Sequence, residues 1–203
     1  MNYSIKIFDV PDSGPLRDKY RAAHLAYLKK FDAQTIFAGP FLTQDRTTEL
    51  GSHRLIEFPD RAAAEQHVEK EPYLLGGAQK GATVYRWAPD TPYSYRDCPR
   101  SKDHVQFMLE AMFARQRDIE PKKLAEENSR YLARYHDFLI TRGRLMSDDE
   151  KTLGILMIID VPDIAAADAM WSDDPFNRRN LFETTEFYGW RFGRVFDRFI
   201  QHA

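Results

Sequence analysis

Apolar and polar residues alternate at the start of the chain. Tyr3, Ile5 and Ile7 share one face of residues 3–10, the period of a β-strand. Pro11, Asp12, Ser13 and Gly14 stop it. From Pro15 the period lengthens: Leu16, Tyr20, His24, Tyr27, Leu28 and Phe31 recur at three- and four-residue spacing, predicting one face of a helix that ends near Ala33. Residues 35–38 predict a short strand running into Gly39-Pro40, and residues 54–58 a further one. Asp60 has the chemistry of an N-cap for a helix over 62–69. Glu71-Pro72 ends that helix, because proline cannot continue it, and residues 83–87 form the last strand.

A second run follows the same order. Residues 105–112 predict a strand, and Pro121 starts a helix through Leu124, Tyr131, Tyr135 and Phe138 toward Gly143. Residues 153–161 predict a strand, Asp163 caps a helix that Asp174-Pro175 ends, and 187–192 form a strand. The halves also match in letters. Residues 56–73 read IEFPDRAAAEQHVEKEPY and residues 159–176 read IDVPDIAAADAMWSDDPF, an offset of 103 that also carries Tyr85 to Tyr188 and Trp87 to Trp190. Seven of the eighteen positions are identical without a gap, so the chain reads as a tandem repeat of one module.

Each copy reads βαββαβ, the ferredoxin-like order, giving an α+β fold with modules at 1–90 and 104–203 joined by a linker at 91–103. Such a module places both helices on one face of its sheet and leaves the other open. Two copies can close those faces on each other as an α+β barrel within one chain, a pseudo-dimer to which a homodimer can be added, with the expected pocket between the sheets.

At 203 residues, 43% hydrophobic and 13% aromatic, the chain carries enough apolar surface for real cores. A net charge of −2 argues against nucleic acid, which calls for a basic stripe. No apolar run approaches membrane-span length, and the opening MNYSIKIFDV lacks a signal pattern. With Cys98 the only cysteine, a cytoplasmic setting is expected, with no membrane partner.

Candidate chemistry centres on His24. By spacing alone it reads as a hydrogen-bonded core histidine, Arg17 and Arg21 as surface residues, and Glu71 as a solvated helix end. A histidine that moves protons works best beside a carboxylate, and Asp9, Asp32 and Glu71 are the candidates. On a continuous helix Asp32 would lie about 12 Å along the axis from His24 and roughly 80° around, so Glu71 is the better placed. Arg17 and Arg21 suit a carboxylate or phenolate ligand. The second copy is rich in rings: Trp171, Phe176, Phe182, Phe187, Tyr188, Trp190, Phe192, Phe196 and Phe199. No metal-ligand spacing appears among the six histidines, of which His202 is near the end of the chain, and no phosphate loop or dinucleotide fingerprint occurs.

One combination of residues is more specific. A strand ending at Asp9, then Arg17 and Arg21, His24-Leu25-Ala26-Tyr27-Leu28, Ala38-Gly39-Pro40, Leu55-Ile56-Glu57-Phe58, an alanine-rich helix, Glu71-Pro72-Tyr73 and Val84-Tyr85-Arg86-Trp87 resembles the YCII-related family of small dimeric α+β barrel proteins. The resemblance covers about residues 1–90 and departs from the family at Glu71, where Asp is usual. It implies that His24 is functional as a general acid or base, with Glu71 or Asp32 as partner. It further implies a ligand site drawing on Arg17, Arg21, Asp9, Gly39, Pro40 and Tyr73. The second copy is degenerate. The place of His24 falls near Leu132 or Ala133, His136-Asp137 is out of register, and the Gly-Pro is replaced around Ser147-Asp148, although Asp174-Pro175-Phe176 is kept. The expected function is a lyase or isomerase that needs no cofactor and acts on an aromatic or carbonyl-activated small molecule. The alternative is a non-catalytic carrier of such a ligand or of haem, with His24, His104 or His136 as axial ligand.

Overall fold

The alternating segments become strands because each can bury one face on helices and the other on its counterpart across the molecule. A computed structural model describes residues 1–114 and 121–197; Phe199 and His202 lie outside the described residues. The first half runs β1 (Asn2–Asp9), α1 (Gly14–Lys29), β2 (Thr35–Leu42), β3 (Glu49–Glu57), α2 (Arg61–Glu69), α3 (Pro72–Leu75) and β4 (Gln79–Pro89). The second runs β5 (Val105–Phe113), α4 (Pro121–Arg134), β6 (Leu139–Met146), β7 (Thr152–Val161), α5 (Ile164–Asp173), a 3-10 turn (Asn177–Arg179) and β8 (Phe182–Trp190). The eight strands form one closed antiparallel barrel in the order β1-β3-β2-β8-β5-β7-β6-β4. Among the described residues no helix is long and apolar enough to cross a membrane.

Both N-caps form as the sequence predicts. The Asp60 carboxylate accepts from Ala63 N at 2.8 Å, and Asp163 accepts from Ala166 N at 2.8 Å. Alternation sorts the strands cleanly. Tyr3, Ile5, Ile7 and Ile56 pack with Ala64 and Val68 of α2. Phe107, Leu109, Ile155, Met157 and Ile159 pack with Tyr131 of α4 and Ala167 and Met170 of α5. The opposite faces meet inside the barrel, where Phe37, Leu55, Trp87, Met108, Ile140, Leu145, Leu156, Ile158 and Trp190 form one buried cluster. Deep among the strands, Lys6 is 2.8 Å from Glu110 and 2.7 Å from Glu186, tying β1 to β5 and β8. The barrel interior is therefore filled with side chains. The cleft described below lies elsewhere, between α1 and the strands β2 and β3, which corrects the expected pocket between the sheets.

Four further expectations change. Helix α1 stops at Lys29, short of Ala33, and turns out through Phe31 N to Leu28 O at 3.0 Å. Strand β2 continues through Gly39-Pro40 to Leu42. Pro40 O accepts from Arg191 N at 3.3 Å, so the missing proline N–H faces the barrel's weakest seam, where β2 and β8 pair only at Phe41–Trp190 and Leu42–Gly189. Helix α4 ends at Arg134, and the stretch toward Gly143 is strand β6. The linker is packed: Tyr95 is buried and its N–H donates to Ile36 O at 2.8 Å, while Ser101 N donates to Asp160 at 2.7 Å.

Residues 191–196 lie across the gap at the β2–β8 seam, with Gly193 N donating to Ala38 O at 2.8 Å. A Cβ on Gly39 would stand 1.9 Å from Arg191 O. Gly39→Ala must push this segment away, so we expect a loss of about 1–3 kcal/mol, the usual range for overpacking a close contact. A denaturation midpoint equal to that of the unsubstituted protein would contradict this placement.

Candidate active site

Helix α2 ends with its C-cap at Lys70, and the chain turns through Glu71 into α3, with Pro72 at the first helical position. Glu71 is the N-cap of α3: its Oε2 accepts from Tyr73 N at 2.8 Å and from Leu74 N at 3.1 Å. Its Oε1 faces helix α1, where it is bonded to His24 Nδ1. Arg54 of β3 sets Nη2 3.4 Å from the same Oε1. Arg54 Nη1 is 3.0 Å from His67 Nε2, and the Tyr27 hydroxyl lies 3.2 Å from His67 Nδ1 and donates to His67 O at 2.9 Å. Glu71, Arg54, His67 and His24 are all buried.

Charge states follow from these contacts. Burial by itself would raise the Glu71 carboxyl, but the hydrogen bond from His24 and the Arg54 charge outweigh it and hold the group below its ordinary value. Burial lowers His24; the Glu71 bond opposes this, and the charge of Arg54 adds to the lowering. The pair therefore rests as a carboxylate and a neutral imidazole. A carboxylate can only accept, so Nδ1 carries the proton and Nε2 keeps its lone pair. Burial and the Arg54 charge push His67 down to about 3, which leaves its Nε2 free to accept from Arg54. Each proton in the chain Tyr27–His67–Arg54–Glu71–His24 thus has one consistent position.

Tyr73 lies flat on His24, ring centres 3.9 Å apart and planes 16° from parallel, and the Arg17 guanidinium is 4.7 Å from the Tyr73 ring centre. Arg17 Nη1 is 2.8 and 2.9 Å from the two oxygens of Asp9, and its Nη2 is 2.6 Å from Glu49. Arg191 takes the other Glu49 oxygen. The cleft is lined by Arg17, Arg21 and His24 of α1, Gly39 and Pro40 of β2, Ser52, His53 and Arg54 of β3, Tyr73, and the 191–196 segment. The space open to the centre of a water molecule is about 60 Å³, room for a few water-sized groups of a ligand beside His24.

The structure brings His24, Glu71, Tyr73, Arg17, Arg21, Gly39 and Pro40 together. Asp9 stands one step back, holding Arg17 and accepting from Gln79 at 2.9 Å. Asp32 is not part of the site. It bonds to the Tyr95 hydroxyl and lies 3.4 Å from Arg96, half-exposed beyond the end of α1. Sequence reasoning missed Glu49, His53, Arg54, His67 and residues 191–196. The readable signal for two of these was His53-Arg54, polar residues within strand β3 directly before the core pair Leu55 and Ile56.

The second half runs through a similar order of strands and helices with other side chains. Thr35 N bonds to Phe31 O and Leu139 N to Tyr135 O, an offset of 104; counting back along each helix sets Asn128 opposite His24, not Leu132 or Ala133. Strand register pairs Gly39 with His53 and Gly143 with Leu156, so Gly143-Arg144 holds the place of Gly39-Pro40, rather than Ser147-Asp148. Asp174 repeats the cap, accepting from Phe176 N at 2.9 Å and Asn177 N at 3.1 Å, with Arg142 at 3.2 Å. His104 sits 3.2 Å from Asp160, and His136 is exposed beside Asp137. A porphyrin does not fit the space beside His24. Among the described residues no cluster of three His, Cys, Asp or Glu is set to hold a metal.

The match to known proteins falls where this geometry is. Residues 1–88 match the profile of the YCII-related domain. Through that segment the chain belongs to the YCII-related family. The chain is also 30% identical to 5-chloro-2-hydroxyhydroquinone dehydrochlorinase of Burkholderia phenoliruptrix AC1100, solved with 2,5-dihydroxybenzoquinone; the match covers 43% of this chain and 94% of that one, with a TM-score of 0.40. The whole chain shares its fold with chlorite dismutase of Candidatus Nitrospira defluvii at 10% identity, covering 98% and 95% of the two chains at a TM-score of 0.63. It also shares it with a heme-binding protein of Thermus thermophilus at 11% identity, covering 93% and 90% at 0.59. The fold is thus the dimeric α-β barrel of the chlorite dismutase type. Among curated proteins none matches the chain by sequence.

The buried histidines give the YCII-related frame a pH signature. His53 and His67 are pushed to about 3, chiefly by burial, and His24 is lowered for the same first reason. The unfolded chain takes up protons at these groups near 6.5 while the folded chain refuses them, so stability is complete above that value and falls as the pH drops from about 6.5 toward about 3. The lowered Glu71 acts in the same direction, its contribution being lost further into acid. Unfolding free energies from urea titrations at about pH 7.5 and about pH 5.5 should differ by roughly 1.4 kcal/mol for each histidine that stays neutral, since only the unit below 6.5 contributes. Equal free energies would show that these side chains protonate freely in the fold.

Proposed function

We propose that the cleft is the active site of a small-molecule lyase or isomerase that needs no cofactor, with His24 as general base and then general acid. The observation that carries this is the buried His24–Glu71 pair, whose ionised carboxylate fixes the histidine tautomer and leaves Nε2 to take a proton. Nε2 removes a proton from a carbon next to a carbonyl, or from an activated ring, and the C–H electrons pass into an enolate. The imidazolium formed is stabilised by Glu71, which stays ionised, and Arg54 keeps it so. Return of the proton at another atom is isomerisation; departure of a leaving group from the enolate is elimination. Glu71 does the work assigned to an acid partner although its arm is one carbon longer than the Asp usual in the family, because as N-cap of α3 it is anchored by two backbone N–H groups.

The strand order β4-β1-β3-β2 beside β8-β5-β7-β6, with matching caps and helix-end hydrogen bonds, supports a tandem pair of ferredoxin-like modules. The second has given up the proton-moving residues: Asn128, Leu156 and Met157 stand opposite His24, His53 and Arg54. A non-catalytic ligand carrier is the second reading. It is favoured by the small exposure of His24, 6%, beneath the Tyr73 ring.

The two readings separate in heavy water. A panel of hydroxylated aromatic acids, quinones and keto acids is incubated with the protein, and deuterium uptake at carbon is followed by NMR. Wild-type protein should catalyse uptake or turnover of at least one compound, and His24→Ala should lower that rate by ~10² to 10⁴-fold while keeping the fold. An equal rate in folded His24→Ala would remove the assignment. A tightly bound compound recovered unchanged, with no uptake, would favour the carrier.

The pH profile offers a second check. Because burial holds His24 below its ordinary value, the acid limb of kcat/KM should lie at lower pH than that of an ordinary histidine base. Arg54→Met should move the acid limb upward, since it removes a positive charge that disfavours the imidazolium. A limb that stays in place would show that Arg54 does not act on His24. Ligand binding should saturate at one per chain, and two equal sites would contradict the assignment to the first half.

A further inference from the structure

Resting on that reading, we propose that residues 191–196, which follow the last strand of the second half, form the substrate-selecting wall of the first half's cleft. The ligand they select is a small anion, a carboxylate or phenolate on an apolar body, gripped by Arg194 together with Arg21. The segment is anchored at both ends. Its backbone bonds to β2 at Ala38 and Pro40, and Phe196 is buried edge-on against Tyr95 at 5.0 Å between ring centres. Gly39 has no Cβ where Arg191 O passes, so this close approach is built into the strand it covers. The segment therefore has a fixed seat, from which Arg191, Arg194 and Val195 line the cleft.

The charge balance then names the ligand class. The chain as a whole carries −2, yet the cleft is lined by five arginines and one glutamate, with His24 neutral. Glu49 answers Arg17 and Arg191 through its two oxygens, and Glu71, behind His24, answers Arg54. Arg21 is paired with Asp18, an acid on the exposed side of α1, and the excess comes from Arg194, which is itself exposed. Guanidinium groups at a cleft mouth favour an anionic oxygen, a planar carboxylate most of all. Leu25, Leu28, Val195 and Phe196 supply apolar walls for the rest of the molecule. An anion held at that mouth would also place its far end toward His24.

Binding of benzoate and of the uncharged benzamide, followed by NMR on the full chain, tests the proposal without any turnover. Benzoate should perturb His24 and the 191–196 backbone, and bind at least ~10-fold more tightly than benzamide, as expected for one charge-assisted pair. Arg194→Gln should lose ~10-fold in benzoate affinity, Arg194→Glu more, and neither should change the weak benzamide binding. Because Arg194 is exposed, both variants should keep the wild-type fold, which the same spectra verify. Equal affinities for the two probes, no perturbation of 191–196 at any soluble benzoate concentration, or unchanged benzoate binding in Arg194→Glu would each overturn the proposal. His24→Ala should still bind benzoate, and loss of binding there would contradict a grip made by the two arginines. The two ideas fail separately: anion selectivity can be absent while His24-dependent exchange persists, and the reverse holds as well.

Discussion

The Glu71 carboxylate is the group on which the first half's local order depends. Moving an ion of this size out of water costs several kcal/mol, and it is tolerated only when its lone pairs are answered. Here two backbone N–H groups of α3, the His24 ring and the Arg54 guanidinium answer them. The first two contacts begin a helix of only four residues, and the third fixes α1 over the sheet. Removing one partner of such a buried charge commonly costs about 3–5 kcal/mol, so the carboxylate holds the neighbouring elements to one arrangement.

The second half shows which part of this is scaffold. Asp174 caps its turn in the same way and also meets a buried arginine, but no histidine. The guanidinium even arrives from the other member of the same cross-strand pair. In the first half Arg54 of β3 stands opposite Ala38 of β2; in the second, Met157 of β7 stands opposite Arg142 of β6. What the frame needs is a positive charge at that point, and either strand can supply it. What the first half adds is His24, bonded to the capping carboxylate through Nδ1.

How much of this the sequence disclosed depends on whether a residue's role was local. Asp60 and Asp163 were legible because an N-cap bonds within its own turn. His24 with Glu71 was legible through the family resemblance and the helix order. Strand β6 was not, because its alternation is hidden: Thr141 and Arg142 are buried, and Arg142 is accommodated only by Asp90 and Asp174 from distant segments. Arg54 and His67 were hidden for the same reason, each being made tolerable by the other and by Glu71. Asp32 misled because it is near His24 along the chain, while the turn after α1 directs it to Tyr95 and Arg96.

Barrel closure links the halves and explains where the cleft can be. Side chains fill the interior of this eight-stranded barrel, so room for a ligand is found at a defect in the wall and beneath a helix. The β4–β6 seam has four paired positions and the β2–β8 seam only two. The weaker seam is the one that carries Gly39-Pro40, and the chain leaving β8 continues its hydrogen bonding there through Arg191 and Gly193 rather than as strand. That irregular segment does what a regular strand cannot: it satisfies β2 while its side chains join His24 in lining the cleft. The second half, without a histidine of its own at the matching place, thus takes part in the site through the way it completes the barrel.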